Sequence, residues 1–177
     1  METNITILTP FFEDPERNFH IRELSRIVNI NHTTVRKYLK EFVNKGLLKT
    51  QKKGIYETYA INKNKKFLNL KLFYNLEKIR KSGIVEDLEK YFDYPVIVLF
   101  GSYAFAQDNK KSDVDICIIS SFEKEFETKK YEKTLNKKVS LHIFSEKTWK
   151  RLINKNPELA NNISNGIVLS GEFEVMG

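Results

Sequence analysis

The sequence predicts a mixed α/β protein, α+β in its chain order, made of two small domains: helices followed by a hairpin, then a small mixed sheet covered by helices. Three observations predict it. Apolar residues recur at helical spacing through residues 3–45, two short runs then flank the basic turn Lys52-Lys53-Gly54, and past residue 95 short apolar runs alternate with amphipathic segments. At 177 residues the chain is long enough for two modest cores. The boundaries fall at 1–62 for the first domain, 63–81 for a linking helix and 82–177 for the second domain.

Residues 3–13 carry Ile5, Ile7, Leu8, Phe11 and Phe12 and predict a short helix, interrupted near Pro10. Leu24, Ile27 and Val28 share one face of a second helix from Arg22 to Val28, and Asn29-Ile30-Asn31 then makes a tight turn. A third helix follows from His32 to Lys45, with Val35, Leu39, Phe42 and Val43 at helical spacing and Gly46 placed to stop it. Leu47 to Gln51 and Ile55 to Ile61 read as two strands joined at the glycine turn.

That order, with Ile21 to Arg26, Thr34 to Lys40 and Lys45 to Leu48 as its most telling stretches, resembles winged helix-turn-helix domains over residues 1–62. In such domains the second of the paired helices leads into the major groove with its N-terminal half. The resemblance therefore implies DNA contacts from Thr33, Thr34, Arg36, Lys37 and Lys40, and backbone contacts from Lys52 and Lys53 at the wing tip. Arg36 and Lys40 share a face, so one can read a base edge while the other neutralises phosphate. His20 and His32 have no cysteine or histidine partner at metal spacing and read as turn or surface residues.

Phe67, Leu68, Leu70, Leu72, Phe73, Leu76 and Ile79 form the pattern of the linking helix, which Ser82-Gly83 interrupts. Ile84 to Phe92 resumes as a shorter amphipathic helix that ends before Pro95. Val96 to Phe100 is a short, β-branched, uniformly apolar run, which suits a strand covered on both faces. It breaks at Gly101-Ser102, where a short helix over Tyr103 to Gln107 can begin and cradle phosphate at its start. A second buried strand opens with Asp113-Val114-Asp115 and continues to Ile119. Alternation puts both carboxylates on one face, their Cα atoms roughly 6.5 Å apart, where they repel each other and can share one hard divalent cation. Val139 to Phe144 is a third strand, helices follow over 146–155 and from Pro157 to Gly166, and Ile167 to Leu169 is a short last strand.

The composition sets outer limits. Hydrophobic residues make up 41% of the chain, enough for globular cores, and no apolar run approaches the roughly 20 residues that span a bilayer. No basic segment followed by an apolar stretch opens the chain, so a cytoplasmic location is expected. The formal charge of +7 favours an anionic partner. Cys117 is the only cysteine, which excludes an internal disulfide and a cysteine-rich zinc site.

Gly-Ser alone is an ordinary turn, and Asp-x-Asp alone is often just a solvated strand mouth. Their combination, with residues 103–112 between Ser102 and Asp113 and apolar strands abutting both ends, resembles the nucleotidyltransferase superfamily of DNA polymerase β and the aminoglycoside nucleotidyltransferases. The likeness is greatest to the minimal nucleotidyltransferases of prokaryotic toxin–antitoxin pairs. It implies that Gly101 and Ser102 bind a triphosphate and that Asp113 and Asp115 are the catalytic pair, holding Mg²⁺ or alternatively Mn²⁺. It also implies nucleotidyl, in particular adenylyl, transfer to an acceptor.

The chain departs from that family twice. A third carboxylate is usual on the next strand, where this chain has Ser140, and an arginine is frequent just after the Gly-Ser turn, where it has Phe105. A positioned acid–base group typically contributes 10²–10⁴-fold in rate. His142 shares the face of Ser140 by alternation and could stand in, though an ordinary strand imidazole is the simpler reading. Two functions are thus open: a Mg²⁺-dependent transferase coupled to a DNA-binding domain, or a catalytically weak or inactive nucleotide-binding transcription regulator. The expected partners are a nucleoside triphosphate, double-stranded DNA and a protein acceptor or cognate toxin, as for an antitoxin-like protein. A homodimer is open, and no membrane is expected.

Overall fold

The computed structural model describes residues 3–53 and 56–172, and it divides the chain into two compact units, Met1–Lys71 and Leu72–Gly177. In the first unit, helices α1 (Thr3–Glu13), α2 (Ile21–Val28) and α3 (His32–Asn44) precede an antiparallel hairpin of β1 (Leu48–Lys53) and β2 (Tyr56–Ile61). The division falls within the next helix, α4 (Lys65–Ser82).

Pro10 does not interrupt α1, contrary to the expectation from sequence. An interior proline costs about 3 kcal/mol. Ile7, Leu8, Phe11 and Phe12 are all buried around it, and full burial of each such side chain contributes about 1.5–3 kcal/mol, so packing outweighs the lost hydrogen bond. Asn31 caps α3, its side-chain oxygen accepting from the Thr34 N–H at 2.8 Å, and Val35, Leu39 and Phe42 turn inward. A two-way backbone bridge, 2.9 Å in each direction, ties Phe19 to Tyr59 and anchors the hairpin beneath the helices. Lys52 and Lys53, expected in the turn, extend β1 instead, paired with Glu57 and Tyr56, while Gly54 of that turn and Ile55, expected to open the second strand, lie outside the described residues, as does the Lys53 side chain.

The second unit is built on a four-stranded mixed sheet. Helix α5 (Ile84–Tyr91) leads to β3 (Val96–Phe100), the one-turn helix α6 (Gly101–Ala104) and β4 (Val114–Ser120). Then come α7 (Lys129–Leu135), β5 (Val139–Ser145), α8 (Glu146–Lys155), α9 (Pro157–Ser164) and β6 (Ile167–Ser170). The strand order is β5-β4-β3-β6: β4 and β5 run parallel, and β3 is antiparallel to both its neighbours. Helix α6 starts earlier and ends sooner than the expected Tyr103 to Gln107, because Ala106 takes a left-handed conformation (φ 54°) that ends the turn.

The near-continuous apolar strands are explained by burial on both faces. Ile97, Leu99, Val114, Ile116 and Ile118 pack with Ile84 and Leu88 of α5, with Phe92 just after it, and with Tyr131 and Leu135 of α7. On the opposite face Val98, Phe100, Cys117 and Ile119 pack with Trp149, Ala160 and Ile163 from α8 and α9. Among the described residues no helix is long and apolar enough to cross a membrane.

Candidate functional site

Asp115 belongs to the second of these faces, two residues before buried Cys117 and paired across the ladders with Phe100 on β3 and Ser140 on β5. The chain turns sharply just beside it. Gly101 follows Phe100 with φ +70°, and a Cβ built there would lie 2.5 Å from Asp115 Oδ2. Glycine is therefore required twice over, by the left-handed backbone and by the carboxylate that occupies the space of a side chain.

Burial pushes the Asp115 carboxyl above its ordinary range; His142 opposes that rise and Asp113 adds to it. Asp113, exposed, immediately precedes β4, so no ladder holds it. Ser102 sits half-buried in α6, its carbonyl accepting the Gln107 N–H at 2.9 Å. The fold thus gathers Gly101, Ser102, Asp113 and Asp115 at one end of β3 and β4, with two neighbours from β5. Ser140 Oγ lies 3.4 Å from His142 Nε2, and the His142 ring stands edge-on to Phe100 with centroids 5.1 Å apart.

No group of three or more His, Cys, Asp and Glu side chains arranged to hold a metal occurs among the described residues. The donor set is a carboxylate pair. That fits Mg²⁺, which takes one or two protein carboxylates and fills its shell with water and phosphate oxygens. A softer metal would need nitrogen or sulfur ligands. Cys117 cannot supply one, since it is fully buried and burial pushes its thiol up to about 12. A cleft lined in part by Tyr94, Pro95, Val96, Ile119 and Trp149 sits at the other end of the same strands, at the Val96–Ile119 pair, and includes none of the four gathered residues.

In the first unit Thr33, Arg36, Lys37, Lys40 and Lys52 are exposed and Thr34 is half-buried, while Val35 and Leu39 face the core. Arg36 lines a surface cleft with His20, Ile21, Arg22, Tyr56 and Glu57, a grouping across α2, α3 and β2 that the sequence pattern did not reveal. His20 has a structural role there, its Nδ1 lying 3.1 Å from the Glu57 carbonyl. Burial pushes the Tyr59 hydroxyl up to about 12, its hydrogen bond to Glu57 adds to this, and nearby Arg36 opposes it.

A family model described as Polymerase beta, Nucleotidyltransferase matches residues 82–172, just over half of the chain. No curated protein shows significant similarity to it.

Proposed function

Because the chain belongs to the polymerase beta nucleotidyltransferase family, we propose that its second unit transfers a nucleotidyl group, specifically adenylyl, from a triphosphate to an acceptor hydroxyl. The observation that carries the proposal is the Asp115 carboxylate packed against Gly101, with Asp113 close enough to raise its proton affinity. Two carboxylates crowded at a strand mouth favour a divalent cation, because its charge removes the repulsion between them.

In this reading Asp113 and Asp115 hold Mg²⁺. When bound, that ion neutralises triphosphate charge and lowers the pKa of the acceptor hydroxyl. Gly101 lets the backbone approach the phosphates where any side chain would collide with Asp115, and Ser102 adds a hydroxyl beside them. Ser140 stands in register with Asp115, so the acceptor's proton meets a hydroxyl and an imidazole on β5 instead of a third acid. That same register favours a second reading, a nucleotide-binding regulator with weak or no catalysis.

We further propose that the first unit is a winged helix-turn-helix that binds duplex DNA through Thr33, Thr34, Arg36, Lys37 and Lys40, with Lys52 and Lys53 on the backbone. The support is the exposed basic side of α3 opposite its buried stripe.

The test is incubation with Mg²⁺, each of the four ribonucleoside triphosphates labelled at the α-phosphate, and candidate protein and RNA acceptors. Label transfer by the parent, strongest from ATP and absent in the Asp113→Asn/Asp115→Asn variant, is expected. Nucleotide binding without transfer to any acceptor would favour the regulator.

A further inference from the structure

Asp115 and Asp113 are held in different ways. Asp115 is fixed by ladders on both sides, to Phe100 and to Ser140. Asp113 precedes the strand, so its position depends on the loop that joins Ala104 to Val114. Several contacts from outside that loop govern its shape, and most converge on one buried ammonium group.

Lys137, in the turn between α7 and β5, buries its side chain to 3% exposure against Asp108, itself at 1%, with Nζ 3.4 Å from Asp108 Oδ2. The same Nζ donates to the Asn109 carbonyl at 2.6 Å and reaches the Ser112 carbonyl at 3.5 Å. These oxygens bracket a small turn closed by Ser112 N–H to the Asn109 carbonyl at 3.2 Å and Asn109 N–H to Ser112 Oγ at 3.0 Å. Asp113 is the next residue. On the far side of the loop, Asn75 Nδ2 donates to Asp108 Oδ1 at 2.9 Å and to the Tyr103 carbonyl of α6 at 3.0 Å. Lys137, Asp108 and Asn75 thus join the helix that follows the glycine turn to the segment that delivers Asp113.

This is a costly way to stabilise a fold. Taking two charges out of water costs several kcal/mol per ion, and well-packed apolar residues of similar volume are often as stabilising. What an apolar pair could not do is bind three oxygens at once and fix the direction of the chain leaving Ser112.

We propose that Lys137, with Asp108 and Asn75, is a positioning set that aims Asp113 at the divalent cation. The proposal rests on the reading of Asp113 and Asp115 as the metal pair. Lys137 and its partners touch neither cation nor nucleotide; they act through the loop. Outer-shell partners of this kind typically change metal affinity 10–100-fold when removed.

The experiment titrates Mn²⁺ into the full chain, following free Mn²⁺ by electron paramagnetic resonance, and measures unfolding in parallel through Trp149, the chain's only tryptophan, in α8. The test variant is Lys137→Met/Asp108→Asn, which removes both charges together and leaves neither one buried alone. Its urea midpoint is expected near the parent's, with Mn²⁺ affinity weaker by about 10–100-fold. Adding Asp113→Asn to this variant should then cost little more, whereas adding Asp115→Asn should keep its full effect. That non-additivity is a signature a merely structural role would not produce. Should the double variant lose its cooperative transition, Asn75→Ala, which cuts only the link from Asp108 to the Tyr103 carbonyl, is expected to weaken Mn²⁺ several-fold with the same coupling to Asp113. Parent-like affinity in the folded variants, alongside loss of binding in Asp113→Asn, would overturn the positioning role and leave the metal pair standing. Binding in the parent that survives Asp113→Asn/Asp115→Asn would overturn the metal pair, and the positioning role with it.

Discussion

Gly101→Ala isolates the closest approach in the site, and Gly83→Ala provides its internal control. Both glycines have left-handed backbones, φ +70° and +73°, but nothing lies within 4 Å of a Cβ built on Gly83, whereas one built on Gly101 meets Asp115 Oδ2 at 2.5 Å. Forcing an L-residue into this conformation costs about 1–2 kcal/mol, and the unfolded chain's lost freedom returns about 0.4–1 kcal/mol of it. Gly83→Ala should therefore destabilise by about 1 kcal/mol. At Gly101 the carboxylate must also leave its rotamer, roughly 0.5–1.5 kcal/mol more, for a total of about 2 kcal/mol. With a urea dependence of about 2 kcal/mol per molar, the midpoints should fall by about 0.5 M and about 1 M respectively. Trp149, 8% exposed and packed on the same face as Cys117, reports unfolding of this unit. Equal shifts in the two variants would refute the reasoning, since they would mean that Asp115 does not crowd Gly101.

Three further outcomes follow from the same geometry. Ser140→Asp places a third carboxylate in register with Asp115; it should destabilise the metal-free protein and enlarge the rise in melting temperature on adding Mg²⁺, and an equal Mg²⁺ effect in parent and variant would put Ser140 away from the cation. Asp87 accepts from Lys130 Nζ at 2.7 Å and from the Tyr131 hydroxyl at 2.6 Å, and these bonds, Lys130 first, hold its carboxyl below the ordinary range. A lowered folded pKa means stability that is present at neutral pH and lost as pH falls through that pKa, so urea curves of parent and Asp87→Asn should converge in acid; a gap independent of pH would contradict this. Duplex DNA binding should weaken steeply with salt, with a flatter slope in Lys52→Ala/Lys53→Ala and relaxed sequence preference in Arg36→Ala, and unchanged binding in both variants would place the contact elsewhere.

The sheet was largely legible because its strands announce themselves as short apolar runs bounded by glycine or acid, as at Val96–Phe100 and Val114–Ser120. The helix starts were legible where chemistry is local, as at Ser145, which accepts the Thr148 N–H, and Asn156 before Pro157. Pro10 misled because local propensity opposes a helix that buried Phe11 and Phe12 hold in place. Tertiary packing was the part that could not be read. Alternation aligned Asp115 with Asp113, but the contact of Asp115 with Gly101 and the buried reach of Lys137 across the loop join residues far apart in sequence, and no period or motif encodes them. Lys137 reads as one more charge in a lysine-rich segment, and only its depth sets it apart.

Parallel incubations with α-labelled and γ-labelled ATP, with Mg²⁺ and an acceptor-rich cell extract, reveal which phosphate bond is broken. Nucleotidyl transfer predicts that the α-label moves to an acceptor while the γ-label leaves as pyrophosphate, with both signals abolished in Asp113→Asn/Asp115→Asn. Release of the γ-label as orthophosphate, or transfer that persists in the double variant, would rule out nucleotidyl transfer at Asp113 and Asp115.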